Sequence, residues 1–289
     1  MYRAASLSIA SILAASSSMA QGVEYLSYGA SYANLSADGG SVDIFSLGGS
    51  IDYRVNNAFI GGTISYTDLS GDGDDFGVTG ISARAGYFVV PQAVIYGGLN
   101  YVDTSETSSF STYNIGAEYM IGAVTLGVNY DDSDESGYIE STSIYAGYQV
   151  GDALEIAAGF TDTDGDTFTQ VGLEYDDGTY DVAAVFADLE GTTLFGVDAS
   201  YDFGNRFRVL GGYLDFDGEA DLFTMGGGYE VSNDMWVDLE FGRADLDGVD
   251  FDTIGVAFTY EMGRETLLID RVERTQVEAL GVLGSISEF

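Results

Sequence analysis

The chain has 289 residues, with 47 acidic side chains against nine arginines and no lysine, histidine or cysteine, which gives a formal charge of -38 at pH 7. This charge argues against a nucleic-acid partner, because phosphate contacts need basic side chains. The missing cysteine and histidine exclude disulfides, thiolate metal sites and the commonest general base. Aromatic residues make up 13% of the chain, so the composition is that of a folded protein rather than an acidic disordered one.

The first twenty residues, MYRAASLSIASILAASSSMA, combine Arg3 near the start with an apolar stretch and a run of small residues. Ser18, Met19 and Ala20 fit the small-x-small rule of signal-peptide cleavage. We therefore predict a secretory signal peptide over residues 1–20. A short buried helix is the alternative, and it is disfavoured because no acid appears before Glu24.

From residue 22 onward, short runs alternate apolar residues with small or polar ones. In the run LEIAAGF, for example, the apolar positions are Leu154, Ile156, Ala158 and Phe160. A period of two places alternate side chains on opposite faces, so each run predicts a β-strand with one apolar face.

The aromatic residues at the strand ends fall into two series. The first series precedes acidic, glycine-rich or serine-rich segments such as SADGG and DTDGD, and comprises Tyr32, Tyr66, Tyr101, Tyr130, Phe160, Phe186, Tyr213 and Phe241. The second series precedes short turns or ends the last strand, and comprises Tyr53, Tyr87, Tyr119, Tyr148, Tyr175, Tyr201, Tyr229 and Tyr260. Together the two series count out eight hairpins, or sixteen strands.

The two faces of these strands differ in a way that suits a lipid bilayer. The apolar face carries small residues in mid-strand and aromatics at the ends, whereas the other face is rich in Gly, Ser, Thr, Asn and acids. In lipid every backbone N–H and C=O must be paired within the protein, so a spanning sheet has to close. We predict an all-β transmembrane antiparallel β-barrel of 16 strands over residues 21–262. A soluble secreted β protein is the alternative.

With a signal peptide, sixteen alternating strands and repeats such as GGSIDYRV, GAEYMIG, GVDASYDFGN and GVAFTYEMG, residues 22–262 resemble the general porins of Gram-negative outer membranes. The likeness is greatest to the porins of alphaproteobacteria. It implies a water-filled channel for passive diffusion of small hydrophilic solutes and ions, embedded in outer-membrane lipid and often a homotrimer. It does not imply an enzyme or a nucleic-acid partner.

The resemblance also implies an orientation. Both chain ends would lie in the periplasm, so the short turns would be periplasmic and the short acidic loops extracellular. The second aromatic series would then form the periplasmic girdle, and the first series the extracellular girdle.

Counting from the girdle aromatics assigns every other side chain of a strand to the lumen. The acids so predicted to line the pore are Asp52, Glu118, Asp131, Glu155, Glu174, Asp181, Asp198, Asp202, Glu230, Asp238, Glu240 and Glu261. The arginines are Arg54, Arg84, Arg206 and Arg208. An acidic lining raises the local concentration of cations, so we predict a cation-preferring pore. The alternative is that these groups solvate the wall without setting selectivity.

One departure from the porin pattern concerns the constriction. General porins narrow the channel with a long loop that folds inward after the fifth strand. The matching segment here, DTSETSSF at residues 103–110, is too short to cross the bore. The pore is therefore unusually open, or narrowed by wall side chains such as Tyr96 and Tyr145, or plugged by another segment.

A tail follows the last strand at residues 263–289 and contains Arg264, Arg271 and Arg274. Its apolar residues recur at near-helical spacing, which predicts a helix over residues 265–283. The tail either hangs in the periplasm or brings its arginines to the acids of the lumen.

Acidic segments such as DGDD and DTDGD invite a calcium interpretation, but they lack EF-hand spacing, and Asp-Gly is common turn chemistry. No cofactor or metal is therefore predicted, and weak binding of divalent cations at the acidic loops stays open. A secreted calcium-binding β protein is the corresponding alternative function.

Asp238 and Glu240 lie two apart on one face, which suits acid–base chemistry. The acids are spread around the whole predicted wall, however, so they fit a lining better than an active site. A surface adhesin or structural barrel without a channel is the remaining alternative, and the short loops argue against it.

Overall fold

The computed structural model describes residues 22–37, 39–71, 75–105, 109–133, 140–163, 166–189, 191–217, 220–246 and 248–279. The predicted signal peptide at residues 1–20 lies outside the described residues, and so does the end of the tail from residue 280.

Sixteen strands and one helix follow one another along the described chain. The strands are β1 (Val23–Ala37), β2 (Gly40–Val55), β3 (Ala58–Ser70), β4 (Asp75–Val90), β5 (Ala93–Thr104), β6 (Phe110–Ile121), β7 (Val124–Ser133), β8 (Ser141–Val150), β9 (Leu154–Thr163), β10 (Asp166–Asp176), β11 (Tyr180–Leu189), β12 (Thr192–Asp202), β13 (Phe207–Phe216), β14 (Ala220–Ser232), β15 (Met235–Leu246) and β16 (Val249–Gly263). The helix is α1 (Leu268–Ala279). No helix within these ranges is both long enough and apolar enough to cross a bilayer.

Each strand pairs antiparallel with its neighbours in sequence, and β1 pairs with β16 to close the barrel. The closing register runs from Tyr25 opposite Gly263 to Ser36 opposite Asp252. Closure removes the free edges that an open sheet would expose. The predicted fold class, a closed antiparallel barrel of sixteen strands, is confirmed.

The outer face of the barrel is apolar. Ile115 and Leu99 are 65% and 62% exposed, and all eight aromatics of the first series are exposed as well. In the second series Tyr87, Tyr119, Tyr148 and Tyr229 are exposed. The other four are half-buried.

Ring contacts account for part of that burial. Tyr260 stacks on Tyr28 with the ring centroids 4.8 Å apart, and Tyr201 lies 4.9 Å from both Tyr180 and Phe203. Rings of this kind suit the boundary between lipid and water, because one part of each ring is apolar and the tyrosine hydroxyl is polar.

Hydroxyl groups pair across neighbouring strands on the inner face. Ser46 and Thr67 share a hydrogen bond of 3.0 Å, as do Ser50 and Thr63. Ser143 and Thr161 form the same kind of pair at 2.9 Å. These pairs satisfy polar side chains on the wall that faces the bore.

The chain turns into the barrel at the mouth where the strands are joined by short turns. Gly263 has a φ of +83°, and a Cβ at this position would overlap the carbonyl oxygen of Glu24. Glycine therefore permits the reversal. Arg264 N–H then donates to that carbonyl at 3.1 Å, and α1 continues inside the bore, in contact with β7, β8, β10, β11 and β12.

Candidate functional site

The candidate site is the inner wall of the barrel together with residues 264–279, which we term the inner segment. Three of the acids predicted from the strand pattern, Asp52, Glu118 and Glu155, are buried beneath this segment, at 8%, 6% and 7% exposure. Charged groups are rarely buried this deeply unless they have partners. Each of the three has its partner in the inner segment.

Glu118 lies at the N-terminus of α1. Its carboxylate accepts hydrogen bonds from the backbone N–H groups of Leu268 and Ile269, at 3.1 and 3.2 Å. These N–H groups have no acceptor within the helix, and the helix dipole favours negative charge at this end. Tyr145 also donates its hydroxyl to Glu118 at 3.0 Å, and shares a 2.8 Å hydrogen bond with Tyr96.

Glu155 holds two arginines of the inner segment. Arg271 donates from Nε and NH2 to the two carboxylate oxygens, at 3.1 and 3.3 Å, and Arg264 forms a further ion pair with the same carboxylate. The two-pronged contact with Arg271 is the geometry in which guanidinium and carboxylate groups fit each other best.

Arg274 lies between β10 and β16. One NH group donates to Glu174 at 2.6 Å, and the other is paired with Glu261. Glu265 lies 3.7 Å from Nε, and the guanidinium carbon is 5.9 Å from the centre of the Tyr25 ring. A single cation therefore bridges two strands that β11 to β15 separate along the wall.

Two further polar contacts fix the start of the inner segment. Thr266 donates its backbone N–H to Asp52 at 2.8 Å, and its hydroxyl lies 3.3 Å from a carboxylate oxygen of Glu24.

Asp270, on α1, forms an ion pair with Arg84 of β4. The predicted lumen arginine Arg84 thus binds the inner segment.

Apolar packing accompanies the polar contacts. Leu267 and Leu268 are 0% exposed. They belong to a cluster that includes Ile269 and Val272 from the inner segment, and Phe59, Phe88, Val94, Tyr96, Tyr145 and Ala157 from β3, β4, β5, β8 and β9. Full burial of one such side chain contributes about 1.5–3 kcal/mol. The inner segment is therefore held by apolar contacts as well as by charge.

Glu265 precedes α1, and its side chain is 12% exposed. Burial raises the pKa of this carboxyl to about 7, and Arg274 opposes the shift. The carboxylates of Glu261 and Asp52 raise the pKa further, because like charges disfavour ionisation. Glu265 therefore changes charge near neutral pH at the point where the chain enters the bore.

A cavity of about 740 Å³ remains beside the inner segment. Its acidic lining residues are Glu174, Asp176, Asp181, Asp198, Asp234, Asp238, Glu240 and Glu261, and its basic ones are Arg208 and Arg274. Arg208 donates to both oxygens of Asp238, at 2.8 and 2.6 Å, and lies 4.4 Å from the Trp236 ring. The lining keeps an excess of acid after these pairings.

The remaining predicted wall residues lie along the strands or at their ends. Asp131 accepts a 2.5 Å hydrogen bond from Asn129. Asp202, the last residue of β12, accepts the N–H of Gly204 at 2.7 Å and so faces the turn. Glu230 lies near the end of β14, opposite Trp236. Arg54 lies 3.5 Å from Glu24 and 3.9 Å from the centre of the Phe88 ring.

The predicted position of Arg206 on the wall is wrong. β13 begins at Phe207, and Arg206 is an exposed turn residue with a φ of 70°. Arg206 would lie on the face opposite Tyr213 only if β13 reached back to residue 206, and it does not. Alternation of side chains stops where the backbone leaves the extended conformation, so the count does not extend into the turn.

Several contacts of the site were not predicted. No feature of the sequence marked Asp270 and Glu265 as residues of the site, because a carboxylate in a helical tail is normally solvated. Phe59 and Phe88 could have been found, since Phe88 follows the outward Tyr87 and parity sends it inward.

No group of three or more acidic side chains that could hold a metal ion occurs among the described residues. The segments DGDD and DTDGD lie partly outside the described ranges. Weak cation binding at the acidic loops therefore stays a prediction.

Comparison with solved structures gives the same architecture. A variant of the porin of Rhodopseudomonas blastica superposes with a TM-score of 0.51 at 16% identity, over 82% of this chain and 99% of that one. A second variant of that porin gives a TM-score of 0.51 at 15% identity, with the same coverage. The outer membrane protein opdK from Pseudomonas aeruginosa gives a TM-score of 0.51 at 11% identity, over 84% and 99%.

At these identities the likeness establishes the fold alone. The chain has a porin-type barrel, as the sequence pattern indicated. No protein-family model and no curated protein matches the sequence.

Proposed function

We propose that this protein is an outer-membrane channel for passive diffusion of small hydrophilic solutes and that it prefers cations. The observation that carries the proposal is the acid-rich cavity of about 740 Å³ inside a closed barrel. An apolar exterior suits lipid, and a charged interior suits water and ions.

The cation preference follows from the excess of carboxylates over guanidinium groups along this cavity. Eight acids and two arginines border it. A passage lined by one sign of charge concentrates the opposite ion and repels ions of the same sign. Salt screens this field, so the preference falls as ionic strength rises.

The decisive measurement is the reversal potential of refolded protein in a planar bilayer under a KCl gradient. We expect cation preference that weakens with increasing salt. Arg208→Ser should sharpen the preference, because it removes a positive charge from the cavity. Arg206→Ser is the matched control and should leave it unchanged, since that residue lies in a turn. Anion preference at low salt would overturn the proposal.

The cellular placement belongs to the same proposal. Cleavage after Ala20 would deliver the chain to the periplasm, and the barrel would insert with its short turns on the periplasmic side. A homotrimer is the expected assembly. Light scattering on the detergent-solubilised protein tests the trimer, and sequencing of the N-terminus of the exported chain tests the cleavage.

Two alternatives are separated from the channel by one assay. An adhesin or structural barrel would not let sugars cross a liposome membrane, whereas a channel would cause the liposomes to swell. An enzyme built on Asp238 and Glu240 is disfavoured, because Arg208 holds both oxygens of Asp238. That pairing leaves the carboxylate poorly placed for proton transfer.

A further inference from the structure

The inner segment divides the wall acids into two groups. Glu118 and Glu155 accept hydrogen bonds from this segment, whereas Asp181, Asp198 and Glu240 border the cavity. Within the described part of the chain, no arginine forms an ion pair with any of these last three. The inner segment therefore neutralises the acids that it covers, including Glu174 and Glu261 at the edge of the cavity. Asp181, Asp198 and Glu240 are left facing the cavity.

The neutralised side is also filled. Leu267, Leu268 and Val272 pack there against Phe59, Phe88 and Tyr145. The structure thus places bulk against β3, β4, β5, β8 and β9, and α1 continues across the bore to β10, β11 and β12. The residues that border the remaining cavity come from β1–β3, β10–β13, β15 and β16, from the turn before β15 and from Arg274 of α1. The segment between β5 and β6 is too short to supply that bulk.

We infer that the inner segment is the constriction of the channel, and that it confines permeation to the acid-lined passage bordered by β1–β3, β10–β13, β15 and β16. Asp181, Asp198 and Glu240 then determine cation selectivity, and the acids beneath the inner segment serve to hold it. This inference rests on the proposed channel function. It assigns to the C-terminal segment the role that an inward-folded loop has in general porins.

Three kinds of contact keep the inner segment in place during conduction. Glu118 caps the start of α1, arginines hold Glu155 and Glu174, and the apolar cluster excludes water from Leu267 and Leu268. Because the segment follows β16 directly, docking is intramolecular and its effective concentration is high. An increase in ionic strength that screens the ion pairs leaves the apolar contacts intact.

The first test removes the attachment in the full-length chain. We expect the quadruple variant Arg264→Gln, Arg271→Gln, Arg274→Gln and Leu268→Ser to show severalfold higher single-channel conductance than the wild type. The control Arg243→Gln changes an arginine whose side chain is 64% exposed and forms an ion pair with Asp250, and it should conduct like the wild type. Strand content by circular dichroism verifies that each variant has folded. A folded quadruple variant with wild-type conductance would overturn the inference.

The second test leaves the inner segment unchanged. It compares an acid that borders the cavity with an acid that does not. Asp198→Asn should reduce cation selectivity, because Asp198 borders the cavity. Asp131→Asn is the matched control: it removes the same charge from β7, outside this cavity, and should have little effect. Equal effects of the two substitutions would contradict a passage confined to one side.

A third test attaches the inner segment to the wall with an engineered disulfide. Because the described chain has no native cysteine, no competing disulfide can form. A Cβ on Gly147 would lie 2.7 Å from a methyl carbon of Leu268, so Gly147→Cys and Leu268→Cys place two thiols on facing surfaces. Mass spectrometry verifies that the disulfide has formed before conductance is recorded, since its Cβ atoms must come within about 4.5 Å of each other. The oxidised and reduced forms should conduct alike if the segment stays in the bore. A fall in the main conductance level on oxidation would show that ions need the segment to move, and would overturn the inference. A wild-type protein that conducts nothing would instead refute the channel itself.

Discussion

Glu118 on β6 and Leu268 at the start of α1 are 150 residues apart in sequence, and the carboxylate of the first accepts the backbone N–H of the second at 3.1 Å. The wall of the barrel therefore supplies the N-terminal cap that the inner segment lacks in its own sequence. Helix caps are usually local side chains such as Ser, Thr, Asp or Asn. Here the cap couples formation of α1 to its position inside the bore.

Loss of this cap should loosen the inner segment. Glu118→Ala leaves the N–H groups of Leu268 and Ile269 without acceptors, at a cost of about 0.5–2 kcal/mol. Trypsin is too large to enter the bore, so cleavage after Arg271 or Arg274 reports excursions of the segment. We expect faster cleavage at these two sites in the variant. Cleavage after Arg206, an exposed turn residue, serves as the internal reference, and an unchanged ratio would refute the capping role.

Glycine at position 127 should be required for the packing of Tyr145, which forms a hydrogen-bonded pair with Tyr96. A Cβ at this position on β7 would overlap the ring of Tyr145, whose hydroxyl donates to Glu118. Forced overpacking of this kind costs about 1–3 kcal/mol. We expect Gly127→Ala to lower the thermal unfolding midpoint in detergent.

The matched control for Gly127→Ala is Gly227→Ala. The nearest atom to an added Cβ at Gly227 is the carbonyl oxygen of Arg208, 3.6 Å away, which is ordinary contact. Equal unfolding temperatures for the two variants would argue against the packing of Tyr145 described above.

A charge placed on the outer face should obstruct insertion according to its depth. Ile115 lies in the middle of β6 and is 65% exposed, and Ile121 ends the same strand and is 57% exposed. Arginine at the bilayer midplane costs about 2–4 kcal/mol, and about 0–1 kcal/mol near the interface. Ile115→Arg should therefore reduce refolding into lipid vesicles more than Ile121→Arg. The reverse order would mean that the outer face does not meet lipid as proposed.

Docking of the inner segment should depend on pH through Glu265. Its pKa is raised to about 7 in the docked state from an ordinary value of about 4.3, so the docked state binds the proton more tightly than a solvated tail does. This contribution to docking is complete below the ordinary pKa and is lost as pH rises through 7. The charged groups that face Glu265 are Arg271, Arg274, Glu261 and Asp52.

We expect single-channel records at pH 8 to show more frequent openings to a larger conductance than records at pH 5. Glu265→Gln should flatten this difference, because the amide does not titrate. Its uncharged side chain keeps the size of the native one, so the remaining pH dependence measures the other carboxylates of the bore. A pH response identical in the variant and the wild type would exclude Glu265 as the titrating group.

The barrel could be predicted from the sequence because its determinants are local. Alternation with a period of two marks each strand, and an aromatic residue closes each run, as Tyr87 and Tyr119 do. Strands joined by short connections pair with their neighbours, so the strand count and the closed topology follow. Parity from the same aromatics placed Glu118, Glu155 and Asp238 on the inner face, where the structure brings them to the inner segment and to Arg208.

Alternation of side chains between two faces holds only along extended backbone, and Arg206 lies in a turn before β13. The spacing of residues in the tail permits both a periplasmic position and a position in the lumen. The predicted helix over residues 265–283 begins in the structure at Leu268, because Thr266 is tied to Asp52 before the helix starts. Residues 280–283 lie outside the described range.

The sequence by itself determined the sixteen strands, their two faces and the acidic character of the bore, because each depends on the spacing of residues close together in the chain. Only the tertiary structure decided that the tail enters the barrel. Arg271 and Glu155 are 116 positions apart, and Arg274 reaches two strands at once. Such contacts depend on the curvature of the closed wall, and no local pattern in the chain encodes that curvature.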